Sequence, residues 1–172
     1  MKKIGIIMML AFTFIVTAGA QRFALIDMEY ITKQIPAFEQ AQKQIKTQGE
    51  QFQKEIDQQS KVARTLYENY QKEAATITMA DRSQREHKIV AAEKKAAELR
   101  TKYFGPEGEM AQLEKKLILP LQDRIYEAVK QLSKEFDLDC VFDRAAIGHG
   151  MIFASPRIDI SNEVLRKLGY LK

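Results

Sequence analysis

Side chains that carry catalysis or bind metals are sparse in this sequence. It holds two histidines, His87 and His149, and one cysteine, Cys140. A helical zinc site needs a second histidine at helical spacing, and neither has one. A lone thiol excludes both a Cys-x-x-Cys metal site and an internal disulfide. No acidic run has the spacing of a calcium loop. Gly105-Pro106-Glu107-Gly108 is glycine-rich but lacks the preceding strand and the Gly-Lys-Ser/Thr end of a phosphate loop. Serines and threonines stand outside any nucleophile motif. The expectation is a protein that is not an enzyme, with no cofactor and no metal.

The remaining chemistry is that of contact. Tyr67, Tyr70, Ile77 and Met79 interleave with Lys72, Arg82, Arg85, Lys88, Lys94 and Lys95. Between Lys61 and Lys102 ten basic side chains face six acidic ones, an excess of four. That excess favours acidic partners or an anionic lipid or lipopolysaccharide surface, with association that salt weakens. The competing reading is a solvated helix face laced with i,i+4 pairs such as Glu68 with Lys72. No base-reading element accompanies the charge, so no nucleic acid is expected. Cys140 lies in the β-prone run Asp139-Cys140-Val141-Phe142 and is expected to be a small buried strand residue. Its acidic neighbours Asp139 and Asp143 do not favour a reactive thiolate.

The elements that position these residues follow from the pattern. Between Ile35 and Phe136, helix formers dominate and loop signals are scarce. Alternating steps of three and four residues visit Ile35, Phe38, Gln42, Ile45, Gly49, Phe52, Ile56, Gln59, Ala63, Leu66, Tyr70, Glu73 and Ile77. Nine of these thirteen are apolar, which is an interrupted coiled-coil seam. A second seam runs through Ile89, Ala92, Ala96, Leu99, Tyr103, Pro106, Met110, Leu113, Leu117 and Pro120. It continues with shifted register through Leu121, Ile125, Ala128, Leu132 and Phe136. Thr78 with Asp81 three residues on resembles a capping box. The spacing therefore predicts a hairpin over 35–136 with its turn near 75–78, one helix from Tyr30 to Ala75 and another from Met79 to Phe136. At 1.5 Å per residue these are about 65–70 Å and about 85 Å long. Gly105 to Gly108 should kink or briefly break the second helix, and Pro120 should bend it again.

The chain ends read as β. Strands are predicted at 22–27, 139–143 and 151–154, with a turn at Ile147-Gly148-His149-Gly150. Ser161 is expected to cap a last helix, Asn162 to Leu168, with Ile160 and Leu165 as a hydrophobic staple and Gly169 as the stop. The fold class is α+β: a small β-rich body, 21–34 and 137–172, with a very long antiparallel helical hairpin inserted between its strands. Phe23, Leu25, Val141, Phe142, Ile152, Phe153 and Leu165 are the expected body core. Three short strands and one helix make a thin core with open edges, and self-association is the natural remedy.

Composition agrees. Of 172 residues 45 % are hydrophobic and 29 % charged, too apolar for a disordered chain and too charged for a membrane-embedded one. Lys2 and Lys3, the apolar run Ile4 to Val16 and the small residues Thr17 to Ala20 form the pattern of a secretory signal peptide cut after Ala20. This run of 13 residues falls short of the about 20 that span a membrane. Without 1–20 the balance is 25 basic against 23 acidic side chains.

Taken in order along the chain, these features resemble the Skp (OmpH-like) periplasmic chaperones. The resemblance is carried by the leader, by Phe23-Ala24-Leu25-Ile26-Asp27-Met28-Glu29-Tyr30-Ile31, and by the heptad hairpin with its Thr-initiated second helix. Leu119 to Val129 is similar to the family's Pro-x-x-x-x-Ile-x-x-Ala-Ile stretch, and Ile158 to Leu165 to its Asp-Ile-Thr-x-x-Val-Leu ending. The resemblance implies a soluble periplasmic homotrimer whose β-rich body holds three helical tentacles around a central cavity. Unfolded outer-membrane proteins would be held there without ATP and kept from aggregating. Gly105-Pro106-Glu107-Gly108 and Cys140 depart from the family pattern; in a trimer three equivalent thiols cannot all pair, so a free buried thiol is expected. The rival readings are an exported structural coiled coil and a basic nucleic-acid-binding coiled coil. The stalk would explain the heptads but not the returning strands and capped helix.

Overall fold

The computed structural model describes residues 22–147 and 150–172. The expected leader 1–20, its cut after Ala20, and His149 with the adjoining Gly148 lie outside the described residues. The chain divides into two compact units: a base of 22–31 with 127–172, and an arm of 32–126.

In the base, β1 (Phe23–Ile26) pairs in parallel with β2 (Cys140–Asp143), in the register Phe23 to Cys140 through Ile26 to Asp143. Parallel neighbours need a crossover, which the whole intervening chain supplies. Ala24, Leu25 and Ile26 are buried, whereas β2 alternates, with Cys140 and Phe142 exposed. Along the other edge of β1, Leu25 bridges Asp159, and the Ile160 amide donates to the Leu25 carbonyl at 2.9 Å. That backbone takes the place expected of a third strand. Residues 151–154 form no strand: despite their strand propensity, Ile152 and Phe153 pair with neither β1 nor β2. The expectation of a β-rich body is thereby corrected. The base has one two-stranded sheet, and the chain is mostly helical.

A polar knot closes the base. Asp27 starts α1 (Met28–Lys33) by accepting the Tyr30 amide at 2.9 Å. That amide first, and the Arg144 guanidinium after it, hold the Asp27 carboxyl below its ordinary pKa. Arg144, in the short helix α5 (Arg144–Ile147), also reaches Asp159 at 3.4 Å. Asp159 accepts both the amide and the hydroxyl of Ser161, at 2.9 and 2.6 Å. The Ser161 hydroxyl accepts the Asp27 amide at 2.8 Å, so this buried polar side chain is satisfied. The last helix, α6, is Ser161–Leu168. Asp159, rather than the expected Ser161, receives the amide at its start, because Ser161 is already the first helical residue. Val164 and Leu165 are fully buried. Gly169 ends the helix as expected, at φ 83°, with the Tyr170 amide donating to the Leu165 carbonyl.

The arm consists of α2 (Pro36–Glu73), α3 (Met79–Phe104) and the first part of α4 (Glu109–Glu135). The helix expected from Tyr30 is interrupted at Gln34 and Ile35. Ile35 is extended, with φ −102° and ψ 104°, as the residue before a proline prefers, and Pro36 fits the first helical position. At 38 and 26 residues, α2 and α3 are about 57 and about 39 Å long. The turn falls at Ala74–Thr78, and the Thr78 hydroxyl accepts the Asp81 amide at 3.1 Å, as the cap signal implies. The second helix breaks at 105–108. A Cβ on Gly105 would stand 2.4 Å from the Thr101 carbonyl oxygen, so only glycine fits. The helix continues through Pro120 without interruption.

The seams are real. In the first, every position but Gln42 and Glu73 is buried or half-buried; in the second, only Pro106, Pro120 and Phe136 are exposed. Cross-helix partners separate in step along the chain, from Glu73 with Arg85 near the turn to Glu55 with Tyr103 farther down. That progression is antiparallel packing.

Candidate functional site

No cluster of His, Cys, Asp and Glu among the described residues is arranged to hold a metal. No helix among them is long and apolar enough to cross a membrane. Exposed apolar side chains occur on both the arm and the base.

Near its turn the arm spends several expected contact residues on itself. The Arg82 guanidinium donates to the Ala74 carbonyl at 2.6 Å and closes the end of α2. Arg85 pairs with Glu73 at 2.6 Å. The Tyr70 hydroxyl donates to Glu86, which raises its pKa above the ordinary phenol value. These three residues and Ile77 are half-buried. Sequence periodicity places such residues near the turn but does not say which of them bridge the two helices.

Other expected contacts are open. Lys72, Lys88, Lys94 and Lys95 are exposed; Lys94 is 3.8 Å from Glu98. Glu68 pairs with Arg64 at 2.8 Å rather than with Lys72, so the expected Glu68–Lys72 pair is corrected. Arg64 lies one turn to the N-terminal side of Glu68, and its Nε donates to one carboxylate oxygen. Tyr67 is exposed, its hydroxyl accepting from Gln71 at 3.0 Å, and Met79 is 77 % exposed. Val62, Val90 and Phe104, not anticipated from sequence, are also exposed apolar side chains on the arm. Their signal was available: they are apolar residues one step off the seam. The result is a helical surface with single apolar side chains distributed among cations.

Lower on the arm a clamp spans the helices. Phe52 stacks on Tyr103, with ring centroids 3.9 Å apart and planes within 4°. The Tyr103 hydroxyl donates to Glu55 at 2.6 Å, and this carboxylate raises its pKa. The Lys102 ammonium lies 5.0 Å from the Tyr103 ring centre and 3.3 Å from Glu109; the Glu109 carboxylate raises its pKa.

The expected body core splits in two. Leu25 and Leu165 are buried and Val141 half-buried, but Phe23, Phe142, Ile152 and Phe153 are exposed in the single chain. Cys140 is exposed too, against the expectation of a buried thiol, because β2 is an edge strand whose outer side no described residue covers. Large exposed apolar side chains on the base thus include Phe23, Phe142, Ile152 and Phe153.

The architecture is similar to that of a solved protein from Caulobacter crescentus CB15, described as a candidate outer membrane chaperone (OmpH-like). The match has a TM-score of 0.63 at 14% identity and covers 87% of this chain and 85% of that one. Comparison with curated proteins gives no match. The family model described as Outer membrane protein (OmpH-like) matches residues 22–168, which takes in β1, the whole arm and α6. The chaperones of this family are not enzymes, in keeping with a surface built for contact. The chain belongs to the OmpH-like (Skp) family.

Proposed function

We propose that the protein is an ATP-independent periplasmic holdase, exported by a leader cut after Ala20, that binds unfolded outer-membrane proteins and keeps them from aggregating. Three copies associate through their bases, and their arms enclose a cavity in which the client is held. The observation that carries this reading is the arm surface, where Val62, Tyr67, Met79, Val90 and Phe104 stand exposed and dispersed among cations. Each gives a weak apolar contact, and enclosure multiplies weak contacts through effective concentration. No contact is strong enough to trap the client, so release needs no fuel once the client folds into a bilayer. Lys72, Lys88, Lys94 and Lys95 add attraction toward acidic segments or anionic lipid.

The test is turbidity after dilution of a urea-unfolded outer-membrane β-barrel from denaturant. A stoichiometric amount of the protein, with no nucleotide present, is expected to keep the solution clear. Turbidity equal to that of the client alone would reject the holdase reading.

A further inference from the structure

A cut after Ala20 makes Gln21 the first residue of the exported chain. Gln21 precedes the described residues, and it alone stands between the new terminus and anchored backbone. Arg22 is held through both of its backbone groups. Its amide donates to an Asp139 carboxylate oxygen at 2.9 Å, and its carbonyl accepts the Asp139 amide at 2.7 Å. β1 starts at the next residue, Phe23, and its Ala24, Leu25 and Ile26 are buried. The exported chain therefore has no tail to spare ahead of the strand on which the base is built.

We propose that Gln21 of the exported chain closes on itself as pyroglutamate. The α-amine nitrogen attacks Cδ of its own side chain. The N–Cδ bond forms, the Cδ–Nε2 bond breaks, and the amine gives one proton to the departing nitrogen, which leaves as ammonia. Nothing is oxidised or reduced, and no co-reactant is consumed. The attacking amine must be neutral, and an α-amine of pKa about 7.7–8.0 supplies a neutral fraction near pH 7. Before the cut this nitrogen belongs to a peptide bond, so the step waits for removal of the leader. The base tolerates the ring. Closure uses only the α-amine and side chain of Gln21, and it leaves intact the peptide bond to Arg22 whose N–H Asp139 accepts. It removes the terminal positive charge, as acetylation does. Asp139 keeps the Arg22 amide and Asp137 keeps the Arg22 guanidinium at 3.8 Å, so neither carboxylate depends on the lost ammonium. A terminus without a free amine is closed to aminopeptidases, and the strand so protected is the one whose loss would open the core of the base. This rests on the proposed export and cut after Ala20.

Intact mass and stepwise N-terminal degradation test it, on the protein expressed with its own leader and recovered from the periplasm without heating. The expected mass is that of residues 21–172 less one ammonia, with a terminus closed to stepwise degradation. Pyroglutamyl peptidase applied to the unfolded protein should then remove one residue and open the sequence at Arg22-Phe23. The variant Gln21→Ser locates the ring: its terminus is expected to be open and its mass to show no loss of ammonia. The ring alone is overturned if the wild-type chain starts at an open Gln21, or if Gln21→Ser also lacks one ammonia, which places the loss elsewhere. A chain that starts at any other residue, Gly19 or Met1 included, overturns the cut after Ala20 and the ring with it.

Discussion

The hydroxyl of Tyr103 on α3 donates a 2.6 Å hydrogen bond to Glu55 on α2, two residues before the helix breaks at Gly105. Stacked on Phe52, Tyr103 is the last large side chain of α3 to cross to α2, and it fixes the register of the two helices where backbone continuity ends. The break therefore does not let α3 slide along α2.

Tyr103→Phe keeps the stack and removes the donor, leaving Glu55 without this partner. A drop in melting temperature of a few degrees is expected by circular dichroism. The pH dependence has a definite sign. The folded-state pKa of Tyr103 lies above the ordinary 10.0, so the pair's contribution is complete below pH 10.0 and is lost as pH rises through the higher folded value. The difference between wild type and Tyr103→Phe should be constant at neutral pH and shrink in strong alkali.

Two glycines of the arm should respond in opposite directions. Gly49 lies inside α2, and a Cβ there would meet only the flexible end of Met110, at 3.4 Å. Gly49→Ala is expected to stabilise the arm by about 1 kcal/mol through helix propensity. At Gly105 a Cβ would strike the Thr101 carbonyl at 2.4 Å. Gly105→Ala is expected to destabilise by about 0.5–3 kcal/mol, since the backbone must move. Urea unfolding of both variants checks the pair of signs.

The basic residues near the turn divide into two groups. Arg82→Ala leaves the Ala74 carbonyl without its donor and should cost about 1 kcal/mol of stability in urea unfolding. Replacing Lys72, Lys88, Lys94 and Lys95 together by Ser should leave stability within about 0.5 kcal/mol. It should weaken binding to acidic clients or anionic vesicles several-fold at low salt, with the difference vanishing at high salt. Low-salt binding equal to wild type would dismiss a role for these lysines.

Much of this arrangement is legible in the residues. Thr78 and Asp81 announce the turn, Gly105 to Gly108 the break, Gly169 the stop, and the seams their buried faces. These signals are local: each is set by a few neighbouring residues and by helix geometry. The interruption at Ile35 was also local, carried by the Ile35-Pro36 pair where the seam begins, and the helix expected from Tyr30 passed over it. What could not be read depends on distant partners. Whether 151–154 becomes a strand depends on a distant pairing partner: Asp159 and Ile160 hold the outer edge of β1, and 151–154 does not pair with β2. Whether Cys140 is covered depends on what lies beyond β2. Arg82 and Arg85 carry the same charge as the neighbouring lysines, and only the antiparallel register decides that they face Ala74 and Glu73.

The most direct test of the central claim is the mass of the protein in solution, by light scattering or native mass spectrometry, with and without an unfolded outer-membrane β-barrel. A homotrimer alone, and a complex of three copies around one client when the client is added, is the expected result. A monomer that leaves the client to aggregate would contradict it.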